Sequence, residues 1–445
     1  MHGMKIKFMF AVVIFLACAG AARASEALET AAIQGRIDAA AKAGGGEVVL
    51  EPGDHMSGGL FLRDNVTLRI PAGARLVAST NSHDYVAAKA WDNQLAFVLG
   101  AGVTNAAVVG EGEIDGRGWA AIHKNEGRGR WKDILFYRAK DVRVEGVTLR
   151  DAATWVCHFR ECDGVVARKV KIRSLANYNN DGIDIEAKNV LVEDCDIEAE
   201  DDGICFKSDN ADFIVEKCLV RNCRISSNCN FIKFGTSSKG VYRDIEVRDC
   251  QLACTGSMYD LDWSKDGGLS KHKVVGVKDR HTGISGIALE VVDGGVMERV
   301  TVRNITMGKG VQTPIFIRQG ARRPPKPGRT SELKDILIEN VTCTEPAASL
   351  IACSITGVPG LRPHDITLRN CKLRFPGGAT AEDAAQPFGE AEKNYPENRM
   401  FGPKVTLPAY GLYIRHADRV RLENVTFEVA TPDARPPLVK EDVRD

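Results

Sequence analysis

Apolar residues recur along this chain in alternating pairs separated by a sharp polar corner. Val147, Val170, Cys195, Cys223, Cys250, Ile305, Val341, Cys371 and Val425 serve as reference positions. The residues five and three before each, and two after, are apolar every time, as in Val142, Val144 and Leu149 or Ile366, Leu368 and Leu373. The residue just before each reference is Gly146, Lys169, Asp194, Asn222, Asp249, Asn304, Asn340, Asn370 or Asn424. Apolar pairs with a period of two predict strands with one buried face. Asn, Asp and Gly tolerate the left-handed backbone that a tight corner requires. The units follow one another at 23, 25, 28, 27, 55, 36, 30 and 54 residues. Stacked turns of this length predict an all-β, right-handed parallel β-helix with one continuous core.

The pattern also defines the ends of the coil. "ETAAIQGRIDAAAKAGGG" places Ile33 and Ile37 one helical turn apart in an Ala-rich run stopped by Gly44–Gly46. It predicts a short amphipathic helix capping the first turn and shielding its edge. Upstream, Lys5 and Lys7, an apolar run and "ARA" at Ala22–Ala24 have the layout of a secretory signal peptide over residues 1–24. The mature chain, 25–445, is expected to be a single β-helix domain, exported to the periplasm or beyond. Attachment of a lipid at Cys18 is a second option for the same segment. No later segment is apolar enough to span a membrane.

Composition changes this picture little. Without Lys5, Lys7 and Arg23, the 59 basic residues become 56 against 59 acidic, a net charge of −3. That balance argues against nucleic acid as a partner. Cys195, Cys218, Cys223, Cys250, Cys343 and Cys371 fall on inward apolar positions, where they read as small buried hydrophobes rather than disulfides. No CxxC pair or HExxH occurs, so neither a metal site nor a cofactor is expected.

Chemistry gathers where the rungs turn acidic. "NNDGID" at 179–184 and "EDDGI" at 200–204 lie about one turn apart, with Asp181 and Asp201 separated by 20 residues. Neighbouring turns of a stacked coil are about 4.8 Å apart. Alternation points Ile183, Ile185, Ile204, Phe206, Ile232 and Phe234 inward. It points Asp184, Cys205, Lys207 and Lys233 outward, on the face that carries Asp181, Asp201 and Asp202. Asp201 and Asp202 share that face only if both sit in the turn before their strand. DG and DD taken singly are ordinary turn chemistry. Crowded carboxylates, however, cannot all ionise freely, and one should hold a proton beside ionised neighbours. Glycosidic cleavage needs that combination.

Three stretches, "NND" at Asn179–Asp181, "DD" at Asp201–Asp202 and "GEGEIDGRGW" at Gly110–Trp119, resemble glycoside hydrolase family 28, the polygalacturonase family. The likeness extends from "GGGEVVLEPG" through "TPIFIRQG" to "AYGLYIRH". It implies a parallel β-helix and inverting hydrolysis of α-linked galacturonosyl bonds in pectin or rhamnogalacturonan-type oligosaccharides. By position, Asp201 would be the general acid, while Asp181 and Asp202 would hold and deprotonate the water. Inversion ordinarily places the two carboxyls roughly 6.5–9.5 Å apart.

The chain departs from the family in two places. Asn230 stands where the family's GHG stretch has its His. Ala288 and Glu290 replace the Arg and Lys of its carboxylate clamp, and Glu290 would repel a uronate. Lys207, Lys233 and Arg318 are the replacement candidates for binding the substrate carboxylate, with Asn179, Asp184, Asn230 and His158 as further candidates around the cleft. Arg322, Arg323, Lys326 and Arg329 form a basic loop, by default solvated. Insertions 255–283 and 374–409 are placed to close the ends of a groove. Two other readings share the fold: a calcium-dependent pectate-lyase-like enzyme, and a non-catalytic glycan-binding β-helix.

Overall fold

A computed structural model describes residues 27–85, 94–121, 130–254, 258–262, 273–278, 282–345, 347, 349–402 and 405–445. The segment expected to be a signal peptide, with Cys18, lies outside the described residues, as does most of the first insertion. From Gly46 to Arg444, 28 strands join in one parallel sheet that winds as a right-handed β-helix. A separate antiparallel pair, Met258–Asp262 with Lys273–Lys278, stands apart from it. The helix α1, Thr30–Lys42, buries Ile33 and Ile37 against the first turn and stops at three glycines with positive φ. No helix among the described residues is long and apolar enough to cross a membrane.

The corner residues behave as the repeat requires. Gly146, Lys169, Asp194, Asn222, Asp249, Asn304, Asn340, Asn370 and Asn424 all have positive φ. In the later turns their side chains also bond from rung to rung. Asn304 donates to Asp249 at 2.8 Å, Asn340 to Asn304 at 2.9 Å, Asn370 to Asn340 at 3.2 Å, and Asn424 to Asn370 at 2.9 Å. The amide thus suits the corner twice, through its backbone and through its pair of donor and acceptor. The cysteines on inward positions are buried and free.

Seven strands frame the acidic rungs: β1 (Trp131–Tyr137), β2 (Cys157–Arg168), β3 (Ile183–Glu193), β4 (Ile204–Ser208), β5 (Asn230–Ser238), β6 (Gly283–Val291) and β7 (Val311–Gln319). The register pairs Ile183 with Ile204 and Ile204 with Ile232. All six expected inward residues of β3, β4 and β5 are fully buried, and Phe206 stacks on Phe234 at 4.4 Å between ring centres.

Glycine makes that close stacking possible. A Cβ on Gly182 would lie 2.5 Å from the Gly203 carbonyl oxygen, and one on Gly203 would lie 2.4 Å from Ile225 Cγ2 and 2.7 Å from the Phe231 carbonyl oxygen. The repeated acid-glycine pair is therefore a packing requirement of adjacent rungs as well as a turn. Gly203→Ala should lower stability by about 1–3 kcal/mol. Gly389→Ala, where nothing lies within 4 Å of the added carbon, should leave the thermal unfolding midpoint nearly unchanged. Equal melting of the two variants would contradict this account of the site's backbone.

Candidate active site

Backbone bonds carry the register back from the strands into the turns. Gly182 N donates to Asp202 O, Asp201 N approaches Asn180 O, and Gly203 N donates to Asn230 O. Asp181 therefore lies beside Asp202, and Asp202 beside Asn230. Asp201 is one position removed, next to Asn180. The sequence paired Asp181 with Asp201; the true offset is one residue longer, as the pairing of Ile183 with Ile204 fixes. Both Asp201 and Asp202 precede the first residue of β4, so they occupy the turn, as sharing one face requires.

The side chains then divide the labour by charge. Lys207 Nζ lies 2.9 Å from Asp181 Oδ2 and 3.4 Å from Asp184 Oδ1. Asn230 donates both its backbone N–H, at 3.1 Å, and its side-chain amide, at 2.7 Å, to Asp202 Oδ1. Asn179, itself at positive φ, donates to Asp201 Oδ2 at 3.1 Å. Asp201 also accepts from the Asp202 N–H at 2.9 Å, and it is the only partly exposed member of the aspartate group.

These surroundings separate the four carboxyls. Burial pushes Asp201 up to about 7, with the charges of Asp181 and Asp202 adding to the effect and Lys207 opposing it. At Asp202 burial also acts upward, but Lys233, Lys207 and the Asn230 amide outweigh it and hold the carboxyl below its usual range. Asp181 is raised, by burial first, against the pull of Lys207 and with a push from Asp202. Asp184, fully buried, lies well above the ordinary carboxylate range because of burial and the neighbouring Asp181 charge. The titration belongs to the group as a whole.

Several expected binding residues are buried and engaged by other groups of the protein. Asp184, Lys207 and Lys233 do point away from the core, yet they are 0%, 7% and 1% exposed. Pointing outward did not leave them solvated, because rungs so closely spaced let oppositely charged neighbours cover one another. Lys233 is committed to Glu290, with Nζ 2.6 Å from Oε1, and Glu290 is itself fully buried. Glu290 is thus matched by a cation rather than facing a substrate. Arg318, 1% exposed on β7, donates to the carbonyls of Gly357, Glu390 and Ala391 and to Thr356. It ties the second insertion to the coil. His158 is fully buried, edge-on to Trp155 at 5.1 Å, and burial holds it well below its usual range. It packs rather than lines a cleft. The basic loop is also engaged: Arg322 binds Asp293, and Lys326 and Arg329 bind Asp212.

Sequence reasoning missed the neighbours on both sides of the acids. Arg130, just before β1, donates to the Tyr178 carbonyl and to Asn179 Oδ1 at 2.8 Å, and lies 3.8 Å over the Tyr178 ring. Partly exposed, it is one amide away from Asp201. Trp155, also partly exposed, takes Lys132 at 3.9 Å and Lys207 at 4.7 Å from its ring centre. The signal for these residues was the same alternation, which turns Trp131 inward and its neighbours Arg130 and Lys132 outward. On the far side, the second insertion brings Tyr395 and Glu397 into the field of Lys233 and Asp202. Tyr395 is 56% exposed.

Two groups have the donor atoms for a metal: Asp181, Asp184 and Cys205, and Asp201, Asp202 and Cys229, each with atoms within 4.8 Å of one another. Lys207 bridges the acids of the first, and the amides of Asn179 and Asn230 take acceptor oxygens of the second. These donors already do a cation's work.

The fold and site define a parallel β-helix with a coupled carboxyl cluster on one face. Residues 57–255 match the family model described as Glycosyl hydrolases family 28, so the resemblance read from the sequence is borne out over that stretch. A polygalacturonase from Juniperus ashei is 30% identical over 138 residues, 28% of this chain and 27% of that protein. A probable rhamnogalacturonase A from Aspergillus oryzae is 23% identical over 244 residues, 53% of this chain and 48% of that protein. The chain thus spans about a quarter and about half the length of these curated relatives. An exopolygalacturonase from Thermotoga maritima superposes with a TM-score of 0.65 at 18% identity, covering 90% of this chain and 88% of that one. That likeness shows the shared fold.

Arg318→Ala should free the carbonyls of Glu390 and Ala391 and speed proteolytic nicking within 386–402, with the β-helix melting at nearly the same temperature. Unchanged nicking would remove Arg318 as the anchor.

Proposed function

We propose that this chain is an exported hydrolase of α-linked galacturonosyl bonds in pectin or rhamnogalacturonan-type oligosaccharides. The observation that carries the reading is the contrast between Asp201 and Asp202, adjacent carboxyls whose surroundings push their proton affinities in opposite directions. Asp201, protonated and partly exposed, acts as general acid on the departing glycosidic oxygen. Asp202, held ionised, draws the proton from the attacking water, with Asp181 helping to orient that water. Water adds to the anomeric carbon as the glycosidic bond breaks, and the proton from Asp201 goes to the leaving oxygen. Arg130 replaces the absent clamp as the cation nearest the acid that can meet a uronate carboxylate.

The inverting course rests on the family resemblance. Oxygens of Asp201 and Asp202 within 4.8 Å of one another are closer than inversion ordinarily uses, so the water lies to one side of the pair, toward Asp181. Proton NMR of the first-formed anomer decides the point: β from an α-linked substrate supports inversion, and α contradicts it. An elimination mechanism would need an open base. Lys132, which burial lowers to about 7, is 1% exposed beneath Trp155.

Asp201→Asn should cut the release of reducing ends from pectic oligosaccharides by about 10²–10⁴-fold. In the unmodified protein, kcat/KM should fall as pH rises through about 7, because the raised Asp201 carboxyl then loses the proton it donates. Undiminished release by the variant, or unsaturated products absorbing in the ultraviolet, would reject the mechanism. Arg130→Ala should raise KM for uronate-containing substrates about tenfold or more, with a smaller change in kcat.

A further inference from the structure

Lys233 and Glu290 remain unexplained by the proposed reaction. They form a buried ion pair, one on β5 and one on β6, at the edge of the carboxyl cluster. Burying two charges is costly, and a pair of apolar residues would serve stability as well or better. The pair's position suggests another use. Lys233 stands beside Cys205 on one rung and Ala288 on the next; Cys205 Sγ lies 3.6 Å from Asp202 Oδ2, and Asn230, three residues earlier on the strand of Lys233, grips Asp202 Oδ1. Almost no surface of Lys233 is open to a substrate.

We infer that Lys233, oriented by Glu290, is a positioning residue that keeps the Asp202 carboxylate ionised for its work on water. The inference rests on the proposed hydrolase reading for its purpose, but the electrostatic device exists in the folded protein with or without substrate. Several other charges face Asp202. They are Asp181 and Asp184 from the rung before, Asp201 beside it in the turn, and Lys207 along its own strand. Glu290 from the rung beyond, and Tyr395 and Glu397 from the second insertion, complete the set. Cys205 and Cys229 are the neighbouring thiols. Lys233 and Lys207 are the cations among them that lower Asp202. Lys207 is shared with Asp181 and Asp184, whereas Lys233 has Glu290 as its close carboxylate.

The test compares Lys233→Met/Glu290→Gln, which removes both charges together, with Lys233→Arg, which keeps the cation. Carbon-13 NMR of protein labelled at the Asp carboxyls, with Asp202→Asn to assign the signal, reads the Asp202 midpoint directly. The double variant should shift it upward by about 1–3 pH units; Lys233→Arg should restore most of the shift. Lys233→Met alone should also raise it, because Glu290, which burial raises to about 7, already carries its proton where Asp202 titrates, and this variant gives a readout should the double variant fail to fold. In activity, the acidic limb of kcat/KM should move up with the midpoint while KM at the optimum stays within about twofold. An unmoved midpoint in the folded double variant, or in Lys233→Met, overturns the inference. So does a large rise in KM with an unmoved limb, which would make Lys233 a substrate ligand. Absence of turnover on every pectic polymer would sink the hydrolase reading, while the NMR titration would still decide the role of Lys233.

Discussion

Everything at this site depends on how closely two rungs approach at a pair of glycines. Gly182 and Gly203 let the backbones pass where any Cβ would collide with a neighbouring carbonyl, and the resulting register sets Asp181 beside Asp202. The cost of crowding carboxylates is thereby imposed by the backbone, since the side chains are not free to move apart. A stacked coil is suited to this: each rung fixes the height of its residues, and the apolar interior beneath, with Phe206 on Phe234, resists adjustment.

Once crowded, the acids are sorted by what each can bond. Lys207 takes Asp181 and Asp184, Asn230 takes Asp202, and Asn179 takes Asp201. An amide donor at Asp202 backed by the buried Lys233 favours the anion there. Asp201, with an amide and a backbone N–H but no cation within ion-pair distance among the described residues, keeps its proton to higher pH. The same environment that would be a liability in a purely structural coil yields, side by side, a carboxyl that holds its proton and one that gives it up. Arg130 extends this network outward through Asn179.

Much of the fold could be read from the sequence because its constraints are local. Positive φ restricts the corners to a few residue types, and Asn304, Asn340, Asn370 and Asn424 advertise it at a fixed place in each repeat. The inward residues followed from alternation for the same reason. The site was less legible. Counting from Asp181 to Asp201 suggested an offset of 20 residues, whereas the register follows the ladder of Ile183 and Ile204, which matches one DG to the next. The fate of the cations was hidden altogether, because their partners are distant in sequence. Lys233 is claimed by Glu290 from the other side of an insertion, and Arg318 by carbonyls far along the chain at Glu390 and Ala391. No pattern around a lysine or arginine announces such a partner. Arg130 went unnoticed because it belongs to no motif.

The central claim is that one carboxyl in the cluster keeps its proton near neutrality while its neighbour does not. Infrared difference spectra of the folded protein, recorded across the pH range for the unmodified chain and for Asp201→Asn, address it without any substrate. A protonated-carboxyl band that fades as pH rises through about 7, with one carboxyl's share of that loss missing from the variant and the share of Glu186 and Glu290, which burial also raises to about 7, retained, is the result this account predicts. A loss of the same size in both proteins, or no such band at about pH 6 in the unmodified chain, would contradict it.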